Sequence, residues 1–387
     1  MPRAVIAANT VPREGGLGLN FAHMLGALGT EFEAEAICAA PAEPFPTRVI
    51  PPSNSLATRL LRLPLLRRLR ALDTNLAETH FDAAVARVLP AVDVFQGLTG
   101  QCESSLRRAR ELGAGTLLDV VTVHTDEGDR RVARECPAFG IGFRPNRGQG
   151  ARRRREYALA DRIRVMSRVA QRTFLERGFD AERVVVMHPP VETELFPEAT
   201  FRHDRFRVTF VGRLEIGKAF HHAIEAFRAA RLPDAELVLW GGSGSREVAR
   251  YLREKVGDDP TIHVRPVPIR KAGLEEVFGK SHVVVHPSVA DGFGYVVAEA
   301  MASGVPVIAS DLTGGSDWIV EGVNGFVVRV GEIETLRERL VWCHRNASRL
   351  PDMGRAARAT AREHDLARFG ADYLPVMRAL AGNRGGR

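Results

Sequence analysis

Short apolar runs recur along the whole chain, separated by amphipathic stretches and glycine-bearing turns. AVIAA, EAEAICAA, VDVFQGL, GTLLDVVTV, DRIRVMS and RVVVM read as strands in the first half, and FRVTFV, AELVLWG, TIHVRPV, VVVHPS and VPVIAS in the second. Many of these runs are apolar at consecutive positions, as in strands buried on both faces of a parallel sheet. Between them lie stretches of helical spacing: FAHMLGALG, CESSLRRARELG, RVAQRTFLERG, FHHAIEAFRAA and REVARYLREKVG. The cadence predicts an α/β chain built of doubly wound parallel sheets. A chain of 387 residues exceeds what one core usually organises, so two units are expected. The polar, proline-bearing VETELFPEATFRHD divides them, giving domains at 1–200 and 206–360. The tail, 365–387, reads as an amphipathic helix that must pack on something. Residues 128–150, rich in Gly, Arg and Pro, read as a mobile loop near the cleft.

Composition adds exclusions. The chain is 45% hydrophobic and 26% charged, and no apolar run approaches the ~18 residues that span a bilayer. MPRAVIAANT reads as a first strand and not as a signal peptide. Cys38, Cys102, Cys136 and Cys343 show neither metal-ligand nor disulfide spacing, which fits a reducing cytoplasm. Net charge is +7, yet only four of the 54 basic residues are lysines, which points to coding bias more than to a polyanion partner. Arg152-Arg153-Arg154-Arg155 has no interleaved aromatics and reads as the solvated start of a helix, so no nucleic acid is expected. Residues 56–72 alternate leucine and arginine around Pro64. They read as a surface helix packed on its domain, with peripheral contact to an anionic membrane as the alternative.

The chemistry concentrates between His286 and Val328. A strand ends at Pro287, the loop Asp291-Gly292-Phe293-Gly294 follows, and a helix starts near Tyr295. Loop and helix N-terminus offer unpaired N–H groups to an anion. Asp291 in the loop and Glu299 on the helix, eight residues apart, can accept from hydroxyls. A ligand with hydroxyls and phosphates, such as a nucleotide sugar, suits the combination. The two acids sit on one side of such a ligand, which argues against a hydrolytic pair flanking a glycosidic bond. Arg213 and Lys218, in the turn after FRVTFVG, are placed to meet a diphosphate leaving group. In the first half, Gly15-Gly16 follows the first strand, and Asp119 and His124 fall at a strand's C-terminal end, where open α/β sheets bind ligands. For His124 the catalytic and structural readings are evenly balanced.

Residues 208–328 closely resemble the C-terminal domain of retaining GT-B glycosyltransferases of family four. VGRLEIGK resembles that family's V-G-R-L-x-x-x-K turn, LVLWGGSG its L-x-x-x-G-x-G strand, and DGFGYVVAEAMASGVPVIAS its E-G-F-G-x-x-x-x-E-A-M-A signature. Asp291 stands where the family usually has glutamate, and Pro190-Val191-Glu192 replaces Gly-Val-Asp. The resemblance implies two Rossmann-like domains facing across a cleft, with the C-terminal helix crossing back to the first domain. It implies a nucleoside-diphosphate sugar as co-substrate, a glycan, lipid-linked or small-molecule acceptor, and metal-independent front-face transfer with retention. Arg213 and Lys218 would bind the diphosphate, and Glu299 the ribose. Asp291 with the Gly292, Phe293 and Gly294 backbone would bind the sugar. Gly15 and Gly16 would close over the phosphates, and His124 would face the reacting sugar or acceptor. An epimerase or phosphorylase on the same fold, or an inactive scaffold protein, is the alternative.

Overall fold

The computed structural model describes residues 1–51, 70–201, 204–242, 245–266 and 273–382. Most of the Leu/Arg segment 56–72 lies outside them.

The first unit alternates β1 (Arg3–Ala7), α1 (Gly15–Leu28), β2 (Glu33–Cys38), β3 (Thr47–Val49), α2 (Arg70–Val88), β4 (Val94–Leu98), α3 (Glu103–Glu111) and β5 (Gly115–Val120). It continues through α4 (Thr125–Glu135), α5 (Arg147–Leu159), β6 (Arg162–Val165), α6 (Arg168–Leu175) and β7 (Val184–Val186). The seven strands form one parallel sheet in the order β3-β2-β1-β4-β5-β6-β7. The second unit runs β8 (Phe206–Val211), α7 (Phe220–Ala230), β9 (Ala235–Trp240), α8 (Arg246–Lys255), β10 (Ile262–Arg265) and β11 (Val283–His286). It ends with α9 (Tyr295–Ala302), β12 (Val307–Ser310), β13 (Gly325–Val328), α10 (Ile333–Arg345) and α11 (Leu350–Arg362). Its six parallel strands lie in the order β10-β9-β8-β11-β12-β13. The two-unit, doubly wound architecture follows the expectation.

Successive residues of a strand feed opposite faces of its sheet. Val5 and Ala7 join one core while Ala4, Ile6 and Ala8 join the other. Likewise Val283 and Val285 face one layer and Val284 the opposite one. This two-sided burial explains why the strands read as continuous apolar runs. The last helix, α12 (Leu366–Gly382), returns to the first unit. Phe369, Tyr373, Met377 and Leu380 enter its core, and the Tyr373 hydroxyl donates to Gln96 of β4.

Three local expectations change. The helix after the first strand starts at Gly15 and not near Phe21. Residues 128–135, expected within a mobile loop over 128–150, belong to α4, which is capped by His124 and tied by Glu127 to Arg130 and Arg131. The linker turns to the second unit before residue 200: Val191 N donates to the His364 carbonyl, and Ala199 N to that of Ser303.

Candidate active site

β11 is buried throughout and ends at His286, whose side chain is 2% exposed. Just beyond it, Ser288 Oγ (2.9 Å) and Val289 N (3.0 Å) both donate to the Gly217 carbonyl. These bonds pin the Lys218 turn to the loop that follows β11. Lys218 Nζ thereby donates to Asp291 Oδ2, and His286 Nε2 lies 3.0 Å from the same oxygen. Burial by itself would raise the Asp291 carboxyl, but the Lys218 charge and the His286 hydrogen bond outweigh it and hold it well below the usual carboxylate range. Burial lowers the His286 pKa against the opposing pull of Asp291. A neutral His286 therefore donates from Nε2, which leaves its buried Nδ1 without a partner among the described residues.

The loop after Asp291 has a fixed backbone. The Asp291 carbonyl accepts from Gly314 N (3.1 Å), that of Gly292 from Ser167 Oγ (2.6 Å), and that of Phe293 from Gly315 N (2.5 Å). In a trans peptide the next N–H points opposite the carbonyl. The N–H groups of Gly292, Phe293 and Gly294 therefore point away from these partners, as an anion or hydroxyl ligand requires. Gly294 adopts φ +81° and starts α9. A Cβ there would meet His286 Nε2 at 3.0 Å and Asp291 Oδ2 at 3.3 Å, so only glycine fits this turn. The Phe293 side chain is 1% exposed and packs on Trp318 at 4.9 Å, so only its backbone is available.

The first unit presses on this loop. A Cβ on Gly292 would lie 2.3 Å from the Val121 carbonyl oxygen, just past β5. A Cβ on Gly16 would lie 3.1 Å from the Tyr295 ring. Ser167, the N-cap of α6, joins the units directly through its bond to Gly292. The Tyr295 hydroxyl is buried at this seam without a partner among the described residues, and burial pushes its pKa up.

The expected site residues divide. Lys218, Asp291, Gly292, Phe293, Gly294 and Gly16 are brought together, and Glu299 lies one turn along α9 from Tyr295. Lys218 and Asp291, expected in separate subsites, form one ion pair instead. Arg213 stands apart: its side chain is 81% exposed and pairs with Glu215 at 2.5 Å. Gly15, at φ +62°, opens α1 with no atom within 4 Å of where its Cβ would lie. The catalytic reading of His124 needs correction. Its side chain is 4% exposed, Nδ1 accepts from Asp126 N at 3.3 Å, and the ring packs on Tyr157 and Phe174 at 5.0 Å each. It caps α4 and fills an aromatic core. Asp119 is likewise structural, in a buried pair with Arg164 (2.7 Å) shared with Asn20. The sequence reading missed His286 and Tyr295. Each directly flanks a recognised feature, Pro287 and Gly294, but neither residue type announces a role by spacing.

Burial lowers the His124 pKa from 6.5 to about 4, and that of His364 also to about 4. Between these values the unfolded chain binds protons that the folded chain does not, so stability rises with pH from about 4 to 6.5 and is lost as pH falls. Urea unfolding midpoints should show this slope, and His124→Gln should flatten it. An unchanged slope would place the protonation elsewhere.

Residues 191–360 match the profile of the family described as "Glycosyl transferases group 1". The chain is 32% identical over 189 residues to a D-inositol 3-phosphate glycosyltransferase of Gordonia bronchialis (45% of this chain, 41% of that protein). It is 29% identical over 203 residues to the enzyme of the same name from Kribbella flavida (46% and 47%). The aligned region thus spans about half the length of the curated relatives it matches. The fold superposes on Anabaena Alr3699/HepE in complex with UDP and glucose (TM-score 0.72, 16% identity, 98% of this chain and 100% of that one). It also superposes on a sucrose-phosphate synthase from Thermosynechococcus elongatus (TM-score 0.70, 17% identity, 98% and 99%). Residues 191–360 accordingly form a glycosyl transferases group 1 domain, set in a two-domain fold of the GT-B type.

Proposed function

We propose that the protein is a retaining glycosyltransferase of the family-four type, moving a sugar from a nucleoside-diphosphate sugar to a hydroxyl acceptor without a metal in the transfer step. The observation that carries the reading is the Lys218–Asp291–His286 group beside the α9 N-terminus, inside the group 1 domain and closed by Gly16 from the other unit. On binding, the diphosphate competes with Asp291 for the Lys218 ammonium. Arg213, exposed at the mouth of the same turn, adds a second cation as negative charge develops on the leaving group. Asp291 and the N–H groups of Gly292–Gly294 take the sugar hydroxyls, and Glu299 the ribose. The departing phosphate receives the acceptor proton on the same face, so configuration is kept. The α4 cap His124 positions the end of β5 rather than touching the sugar.

The named relatives act on an inositol phosphate, and HepE is seen with UDP and glucose. UDP-sugars and phosphorylated polyols therefore head the list of donors and acceptors, with glycan and lipid-linked acceptors next. A thermal-shift screen of UDP-, GDP- and ADP-sugars tests the donor, since a ligand bound only to the folded state stabilises it. Glu299→Ala should abolish the shift for the preferred donor and reduce transfer by about 10²-fold or more. The anomeric proton of the product, read by NMR, tests retention. No shift with any nucleotide sugar would overturn the proposal.

A further inference from the structure

Away from this site, three metal-ligating side chains meet at the seam between the units. Glu135 closes α4 of the first unit, and His221 and His222 lie in the first turn of α7 of the second. Glu135 Oε2 is 2.9 Å from Nε2 of His221 and 2.9 Å from Nε2 of His222, and the three ligand atoms lie within 4.8 Å of one another. The two histidines are buried, their rings 4.3 Å apart, and Phe139 packs edge-on against His221 at 5.0 Å. Among the described residues the ion-pair partners of Glu135 are these two imidazoles, with no lysine or arginine. The group thus brings one carboxylate oxygen and two imidazole nitrogens together at a largely buried seam.

We propose that Glu135, His221 and His222 form a divalent transition-metal site, of the kind that takes Zn²⁺, which staples the two units together. Two imidazoles and a carboxylate are a suitable donor set, with water in the fourth position on the partly exposed Glu135 side. Metal–ligand bonds of ~2.0–2.1 Å in a tetrahedron separate neighbouring donors by roughly 3.3 Å, so the 2.9 Å spacings need open only a few tenths of an ångström. The staple acts where it can matter. α4 also packs against the Lys218 turn, with Val132 3.3 Å from where a Gly217 Cβ would lie, and Arg131 donates to the Val289 carbonyl at 3.5 Å. A bound ion would fix the start of α7, and with it the Lys218 turn, without touching the reacting sugar.

The test uses the full chain, stripped with a chelator and titrated with Co²⁺. The expected result is one equivalent bound at micromolar affinity or tighter, with the strong visible absorption of tetrahedral Co²⁺, bleached by Zn²⁺. Glu135→Gln and His222→Gln should each weaken binding by more than about 100-fold, beyond what loss of an outer-shell partner causes. Zn²⁺ should raise the melting temperature of the wild-type chain and not of the variants. Absence of the tetrahedral spectrum, or equal binding by folded variants, would reduce the cluster to a hydrogen-bonded contact. If neither variant folds, the wild-type stoichiometry and spectrum decide.

Discussion

Lys218→Met is expected to lower transfer by about 10²–10³-fold, the usual loss when one stabilising group at developing charge is removed. The same substitution should destabilise the fold, because Asp291, 12% exposed, is left with His286 as its one side-chain partner among the described residues. Breaking a fully buried pair costs ~3–5 kcal/mol, and the 29% exposure of Lys218 makes this loss smaller. The double variant Lys218→Met/Asp291→Asn separates the two effects. It removes the uncompensated charge, so its urea midpoint should recover toward wild type while transfer stays low. Should transfer recover with stability, Lys218 would be a structural partner of Asp291 and not a diphosphate ligand. The His286 ring gives an independent readout. With Lys218 gone, the carboxylate acts on the imidazole alone, so the His286 pKa should rise in an NMR titration, because the Lys218 charge now lowers it.

The strands, their parallel pairing and the glycine loop after β11 were legible because each leaves a local mark. A strand buried on both faces must be apolar at consecutive positions, and VVVH and VPVIAS are. Gly294 needs φ +81°, so a glycine stands there, next to the helix it starts. What could not be read was whatever depends on two distant segments meeting. Lys218 and Asp291 are each visible, but their pairing follows from Ser288 and Val289 binding the Gly217 carbonyl, which no spacing encodes. His124 looked like a ligand because it is polar at a strand end. Its burial comes from Tyr157, Phe174 and Phe179, which arrive from α5, α6 and the turn beyond α6. The Glu135–His221–His222 group spans two domains and was invisible for the same reason. Residues 128–135 of α4 read as a loop because the helix's signal is electrostatic: Glu127 bridging Arg130, Arg131 and Arg177 holds a helix with few apolar residues.

Gly292 connects these levels, and Gly292→Ala is the second change with a large expected effect. Its backbone is not in the left-handed region, so alanine is conformationally acceptable and the cost is purely one of space. The added Cβ would stand 2.3 Å from the Val121 oxygen and 2.8 Å from the Thr122 Cα. Both are backbone atoms, so no rotamer change relieves the contact. The end of β5 and the Asp291 loop must separate by roughly 1 Å, a misplacement that can cost about 10²-fold in a reaction relying on positioning. Donor contacts assigned to Lys218, Asp291 and Glu299 all lie within the second unit, so donor affinity measured calorimetrically should change little while kcat falls. Gly142→Ala, with no atom within 4 Å of the new methyl group, is the matched control and should behave as wild type. Wild-type kcat in Gly292→Ala would mean that the closed seam is not the reactive arrangement. Weakened donor binding with unchanged kcat would instead place the effect of Gly292 within the loop, since a displaced first unit cannot loosen contacts that the second unit makes alone.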